Sequence, residues 1–135
     1  MKSIGKLIYE PSSHLGSTKN WLVLMCDDEI GKYYRHLFTL QYPYLNNNYN
    51  GKLARPVLGS HISVVRGEKI QNLYLCKKIN NKIIEFEYDG EVKDNSEYFW
   101  LKVNCPFLND LRINLGLSPI PKFGLHLTIG RSTNC

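Results

Sequence analysis

The second half of this chain repeats the pattern of the first, and that duplication limits the folds open to it more than any single residue does. The apolar run Trp21 to Cys26 (WLVLMC) leads through a helical pattern and a polar loop to His61-Ile62-Ser63. The run Tyr98 to Val103 (YFWLKV) then leads through a second helical pattern and a proline-containing loop to His126-Leu127-Thr128. In this reading Trp21-Leu22-Val23 matches Trp100-Leu101-Lys102, and each motif histidine is followed five positions later by an arginine, Arg66 or Arg131. Two strand-helix-strand halves related by an approximate twofold axis bring their H-x-[ST] strands together at the centre and set the histidines opposite each other. The expected class is α+β: one domain over residues 1–135, with pseudo-repeats at about 1–68 and 82–131 and mainly antiparallel sheets around a central cleft.

Local patterns supply the elements. Gly5 to Tyr9 is β-prone, and Pro11-Ser12-Ser13 with the polar stretch Gly16 to Asn20 reads as loop. The unbroken apolar run at 21–26 suits a strand covered on both faces, although a short buried helix has a similar pattern. Asp27 or Asp28 can cap a helix in which Ile30, Tyr33, Tyr34, Leu37 and Leu40 or Gln41 recur near helical spacing, ending near Pro43. Leu45 to Pro56 has loop composition. His61 to Val65 predicts a strand closed by Gly67, Glu68 to Asn81 is weakly patterned, and Lys82 to Tyr88 predicts a strand followed by a turn at Asp89-Gly90. Pro106 fits the first position of a helix that buries Leu108, Leu111 and Leu115 before Gly116 stops it. In the last strand Leu125, Leu127 and Ile129 face the core while His126 and Thr128 face away.

A chain of this size buries roughly two thirds of its unfolded surface, so its core needs no staple. Apolar residues at 43% and charged ones at 21% exclude a disordered polyelectrolyte. Seventeen basic residues against twelve acidic ones leave +5, which favours an anionic partner: a nucleotide, RNA or a phosphate. No run reaches the roughly 18 apolar residues of a membrane span, and Met1 to Gly5 lacks a signal peptide's apolar stretch, so a soluble cytoplasmic protein without membrane contact is expected. Cys26, Cys76, Cys105 and Cys135 lie far apart with no C-x-x-C or zinc-finger spacing. They are expected as reduced thiols, with pairing in an extracellular protein as the alternative.

Bare H-x-[ST] matches are common, and two of them decide little. Apolar neighbours and the arginine at plus five set His61 and His126 apart from His14 and His36, which lack a hydroxyl two residues on. Cleaving a phosphodiester requires a nucleophile to lose a proton and the leaving oxygen to gain one, on opposite sides of phosphorus. Two histidines can do both near neutral pH, since an unperturbed imidazole titrates at about 6.5. Ser63 and Thr128 point the same way along their strands and can donate to the non-bridging oxygens where charge builds up. A metal site would want a third ligand such as a carboxylate at fixed spacing, and none stands next to either motif, so neither metal nor cofactor is expected. The competing reading is two surface-strand histidines with local hydrogen bonds.

These residues resemble the 2H phosphoesterase superfamily, whose signature is two H-x-[ST]-x strands in a bilobal, pseudo-symmetric fold. More closely, the chain is similar to the phage anti-CBASS cyclic-oligonucleotide nuclease family. The likeness spans nearly the whole chain through Gly5-Lys6-Leu7-Ile8-Tyr9, Trp21 to Leu24, His61 to Lys69 (HISVVRGEK), Cys105-Pro106 and Leu125 to Arg131 (LHLTIGR). The resemblance implies an enzyme that opens cyclic di- and trinucleotide messengers without metal, silencing a bacterial immune system from within the host cytoplasm. It implies His61 and His126 as the catalytic pair, Ser63 and Thr128 as their phosphate-orienting partners, and Tyr9 as a base contact. Family chains continue well beyond the second motif, whereas only Ser132 to Cys135 follow Arg131 here, so substrate contacts and base preference are expected to differ.

Further substrate contacts are open on both sides. Arg66 and Arg131 could clamp phosphates with forked donors, yet odd spacing from each histidine puts them on the opposite face of a regular strand. Lys122 could reach a phosphate from its loop or stand as a solvated lysine. Phe123 is expected to pack, Trp21 and Trp100 to lie in the core, and Tyr33, Tyr34 and Phe38 to be core rather than ligand platform. No stable protein partner is expected. The alternatives to cyclic-oligonucleotide cleavage are an RNA-processing 2′,3′-cyclic phosphodiesterase and a non-catalytic nucleotide or RNA binder.

Overall fold

The computed structural model describes residues 1–11, 17–41, 53–95 and 97–132. Its elements run β1 (Lys2–Tyr9), β2 (Trp21–Cys26), α1 (Asp28–Gln41), β3 (Leu53–Ala54), β4 (His61–Arg66), α2 (Leu73–Ile79), β5 (Ile83–Asp94), β6 (Tyr98–Asn104), α3 (Pro106–Asn114) and β7 (His126–Ser132). Every described strand pairing is antiparallel, so the molecule is mixed α+β as the patterns require. The order β7-β4-β2-β1-β5-β6, with β6 returning to β7, closes a six-strand barrel, and β3 adds two residues to the edge of β7 that β4 also borders. The sheets expected on either side of a cleft form one continuous circuit. Two junctions make it so: β1 pairs with β5, and β4 meets β7 through Ile62 and Leu127.

Alternation along the strands sorts side chains into an inner and an outer face. Leu7, Leu22, Leu24, Ile62, Leu101, Leu127 and Ile129 are fully buried inside. Each such side chain stabilises the fold by about 1.5–3 kcal/mol relative to an exposed position. Helix α1 lays Tyr34 and Phe38 onto this core, with the Phe38 and Phe99 rings edge to face at 4.7 Å, and α3 adds Leu108 and Leu111. Asp27 begins α1 by accepting the Glu29 N–H at 3.0 Å. Pro106 opens α3 because its absent N–H has no partner to lose there, and Gly116, at φ +85°, follows its C-cap Leu115.

Register corrects the internal match. Trp21 stands opposite Arg66 and Tyr98 opposite Arg131, while Val23 faces Ser63 and Trp100 faces Thr128. The counterpart of Trp21 is therefore Tyr98, two residues before the expected Trp100. The shared Trp-Leu pair is a local coincidence, whereas correspondence between strands is set by their ladders.

Three further expectations change. The weakly patterned stretch 68–81 contains α2, where Asn72 accepts the Leu75 N–H, Cys76 and Ile79 are buried and Leu75 packs half-buried beside them. No chain reversal occurs at Asp89-Gly90: the Asp89 carboxylate accepts the Glu91 N–H, the β5–β6 register shifts between Tyr88 and Val92, and the strand runs on to Asp94. Tyr33 and Leu40 are exposed rather than core. The loop expected at 45–56 lies outside the described residues except for its last few positions, and so do Pro43, His14 and Cys135. Cys26, Cys76 and Cys105 are free thiols, and burial raises all three, Cys26 to about 12. Among the described residues no helix is long and apolar enough to cross a membrane.

Candidate active site

Strands β4 and β7 each carry one extra residue. Leu22 faces Val65 while Val23 faces Ser63, so Val64 is the extra residue of β4; Phe99 faces Gly130 while Trp100 faces Thr128, so Ile129 is that of β7. A bulge inserts one position into the alternation. Val64 and Val65 are consequently both buried, as are Ile129 and Gly130, and the residue after each pair turns outward. That residue is Arg66 in one strand and Arg131 in the other. Both arginines therefore share the outer face with the histidine and hydroxyl of their own motif, contrary to the expectation from a regular strand.

The single Ile62–Leu127 pair aligns the two motifs. One step to either side of that antiparallel pair, Ser63 comes beside His126 and His61 beside Thr128. The two histidines are then diagonal neighbours, a relation that sets strand positions about 7–8 Å apart. All six motif side chains, His61, Ser63, Arg66, His126, Thr128 and Arg131, are half-buried or exposed on this face.

Each ring is oriented in the same way. His61 Nδ1 lies 2.9 Å from the Gly59 carbonyl oxygen, and His126 Nδ1 lies 3.0 Å from that of Gly124. A carbonyl only accepts, so Nδ1 carries the proton and donates, which leaves Nε2 of a neutral ring as a free base. The carbonyls are presented by glycines in the left-handed region, φ +78° at Gly59 and φ +70° at Gly124. Asp28, at the start of α1, fixes the first turn by accepting the Ser60 N–H at 2.8 Å, and that bond, more than any neighbouring charge, holds its carboxyl below the usual range. A side chain on Gly59 would place Cβ 2.8 Å from Asp28 Oδ1.

Two further arginines tie the halves across the bulges. Arg112 Nη1 of α3 donates to the Val64 carbonyl at 2.6 Å, and Arg35 Nη1 of α1 donates to the Ile129 carbonyl at 2.8 Å. Each helix thus supplies a donor to the bulge in the opposite half's motif strand. Arg112 is almost completely buried; it also grips Glu68 through bonds of 2.8 and 2.9 Å and holds the Ser118 carbonyl at 2.7 Å. These hydrogen bonds keep the Glu68 carboxyl below the usual range.

Burial pushes the His61 pKa below that of a free imidazole, and the positive charges of Arg66 and His126 push it the same way, against the Gly59 bond, which favours the cation.

Other expected residues fall differently. Tyr9 pairs with Leu22, so its side chain joins the core side near Cys76 rather than the histidine face, and burial raises its hydroxyl pKa. Trp21 and Trp100 leave the core: the Arg66 guanidinium stands 4.7 Å from the Trp21 ring centroid, and the Trp100 ring meets the His126 ring edge to face at 6.3 Å. Phe123 is 79% exposed instead of packed, with the Lys122 ammonium 5.4 Å from its centroid. Beside His126 a cleft of about 500 Å³ opens between Trp100, Ile120 and Phe123, with Lys93 and Lys102 among its lining residues. Gly59, Gly124, Arg35 and Arg112 went unread in the sequence. The repeated glycine two residues before each motif histidine was visible there as a signal.

Comparison of the chain with protein-family models, with curated proteins and with solved structures returns no match.

Proposed function

We propose that this protein is a two-histidine phosphodiesterase of the 2H type, opening cyclic di- and trinucleotide messengers to linear products and so counteracting CBASS immunity in a bacterial host. The observation that carries the reading is the repeated unit: two glycine-anchored histidines, each with a hydroxyl and an arginine on one face, on adjoining strands. The bilobal, pseudo-symmetric layout of the superfamily belongs to the same proposal and is supported by the matched bulges and crossed arginines.

The phosphate sits between the Nε2 atoms. His61, held neutral by burial and by Arg66, takes a proton from a ribose 2′-OH or a water as that oxygen attacks phosphorus. His126, entering the step as the imidazolium with a proton on Nε2, protonates the 5′-oxygen as its bond to phosphorus breaks, and proton exchange with water restores both rings. Ser63 and Thr128 donate to the non-bridging oxygens, and Arg66 and Arg131 draw in and hold the anion. Both proton transfers come from the chain's own side chains, so turnover in excess EDTA is expected.

The test incubates wild-type protein and His61→Ala, in EDTA, with cyclic dinucleotides, cyclic trinucleotides and RNA ending in a 2′,3′-cyclic phosphate, and reads products by mass. Opening of the cyclic oligonucleotides by wild type alone is the expected result. Cleavage confined to RNA ends moves the protein to RNA processing, and absence of any product favours the binding-module reading.

A further inference from the structure

We infer that the cleft beside His126 is a nucleobase subsite, formed in the second half of the molecule alone, that holds one base of the substrate between Trp100 and Phe123. The inference rests on the phosphodiesterase reading of the histidine face and adds to it where a base sits and which way round the substrate lies.

The cleft has the chemistry of a base site. Its volume of about 500 Å³ falls in the range of small-molecule pockets, and its walls are two aromatic rings and Ile120. Phe123 is 79% and Ile120 64% exposed, so neither contributes to the core. Exposed apolar side chains on a loop commonly belong to mobile chain, but this loop is held. Asn109 Nδ2 donates to the Pro119 carbonyl at 2.7 Å, Arg112 Nε to that of Ser118 at 2.7 Å, and the Gly124 N–H to that of Pro121 at 2.9 Å. The backbone that carries these apolar groups is thus tied down before any ligand arrives, which lowers the ordering cost of binding. Lys93 and Lys102 line the same cleft and suit an anionic ligand. A flat, apolar, anionic ligand adjoining a histidine that works on a phosphodiester is a nucleotide with its base in the cleft.

Among the described residues the first half shows no equivalent on its motif-facing strand. By register the counterpart of Trp100 is Val23, which is buried, and that of Lys102 is Met25. Among the described residues the motif groups are duplicated and the aromatic-lined cleft is not. A cyclic dinucleotide therefore binds with one base on the His126 side, and the two histidines meet chemically different ends of the scissile linkage.

The experiment titrates the intact protein with guanosine 5′-monophosphate, adenosine 5′-monophosphate and ribose 5-phosphate, following the Trp100 indole N–H signal by NMR, assigned with Trp100→Phe. Kinetics on a cyclic dinucleotide run in parallel. At least one mononucleotide should shift the Trp100 signal and bind about tenfold or more tighter than ribose 5-phosphate. Phe123→Ala should remove about tenfold of that preference, leave ribose 5-phosphate binding unchanged, and raise KM more than it lowers kcat. Equal binding of nucleotide and ribose phosphate, or a Phe123→Ala protein that binds and turns over like wild type, overturns the subsite. Nucleotide preference without any turnover of cyclic substrate sustains the subsite and overturns the phosphodiesterase reading. Turnover without nucleotide preference does the reverse. Because the Phe123 side chain is mostly in solvent, its removal does not threaten folding.

Discussion

A histidine whose Nδ1–H is committed to a carbonyl has one nitrogen left for chemistry, and here both motif histidines are committed in the same way. Under the proposed mechanism replacement of either removes a positioned acid or base, so His61→Ala and His126→Ala should each lower kcat by about 100-fold or more. Mass detection of linear product measures this, and unchanged turnover in either variant strikes that residue from the mechanism. His61 also links folding to pH. Burial lowers its folded pKa beneath the roughly 6.5 of the unfolded chain, so the unfolded state takes up the proton first as pH falls. The stability that neutral His61 contributes is complete above about pH 6.5 and is lost as pH falls from there through the folded pKa. Urea midpoints at about pH 7.5 and about pH 5.5 should therefore drop further in wild type than in His61→Ala, and equal drops would refute the link. The histidines and hydroxyls were readable from sequence because alternation along a strand is a local rule. Arg66 and Arg131 were misplaced because a bulge is a property of two paired strands, and neither strand alone announces it. Tyr9 was placed by likeness to a family's opening residues, and its pairing with Leu22 carries it to the other side of the strand.

Each motif strand depends on a helix from the opposite half of the chain. A bulge frees a carbonyl from the ladder, and a buried polar group left without a partner costs about 1–3 kcal/mol, so the guanidinium of Arg112 at Val64 offsets a penalty that the bulge itself creates. Arg112→Leu strips the donor from Val64, Ser118 and Glu68 together. The loss should be about 2 kcal/mol or more, short of the roughly 3–5 for a fully buried ion pair, because the Glu68 side chain keeps 39% of its surface in water. Arg112→Lys, lacking the planar fork, should recover only part of it. Chemical denaturation measures both, and an Arg112→Leu protein as stable as wild type would remove the arginine from the support of the bulge. Legibility at this scale followed the strength of the repeat. Strands β2 and β6 and helices α1 and α3 carry long apolar patterns and end signals that no tertiary contact contradicts. Helix α2 buries only Cys76 and Ile79 and half-buries Leu75, too thin a stripe to register as a period. At Asp89-Gly90 the turn chemistry was real, since Asp89 caps Glu91, but the ladder to β6 resumes at Val92 and carries the strand through it.

Across the whole molecule the duplication works as an interlock rather than as two modules side by side. The chain crosses between halves at β1–β5 and β4–β7, and the arginines of α1 and α3 each reach into the other half's motif strand. The face that carries both histidines exists only where those crossings meet, although each ring is oriented by a glycine carbonyl of its own half. Such cross-ties also remove the independence that would let one half unfold first. The two tryptophans offer a direct reading, because Trp21 reports on β2 and Trp100 on β6. In Trp21→Phe the remaining fluorescence follows the second half, and in Trp100→Phe it follows the first. Within each variant the fluorescence and far-ultraviolet circular dichroism transitions in urea should share one midpoint, and that coincidence should hold in both. A fluorescence transition that precedes the loss of secondary structure in either variant would mean that one half comes apart while the other persists. The halves would then be separable units despite the β1–β5, β3–β7 and β4–β7 pairings, and the site would be an interface that opens and closes instead of one fixed face.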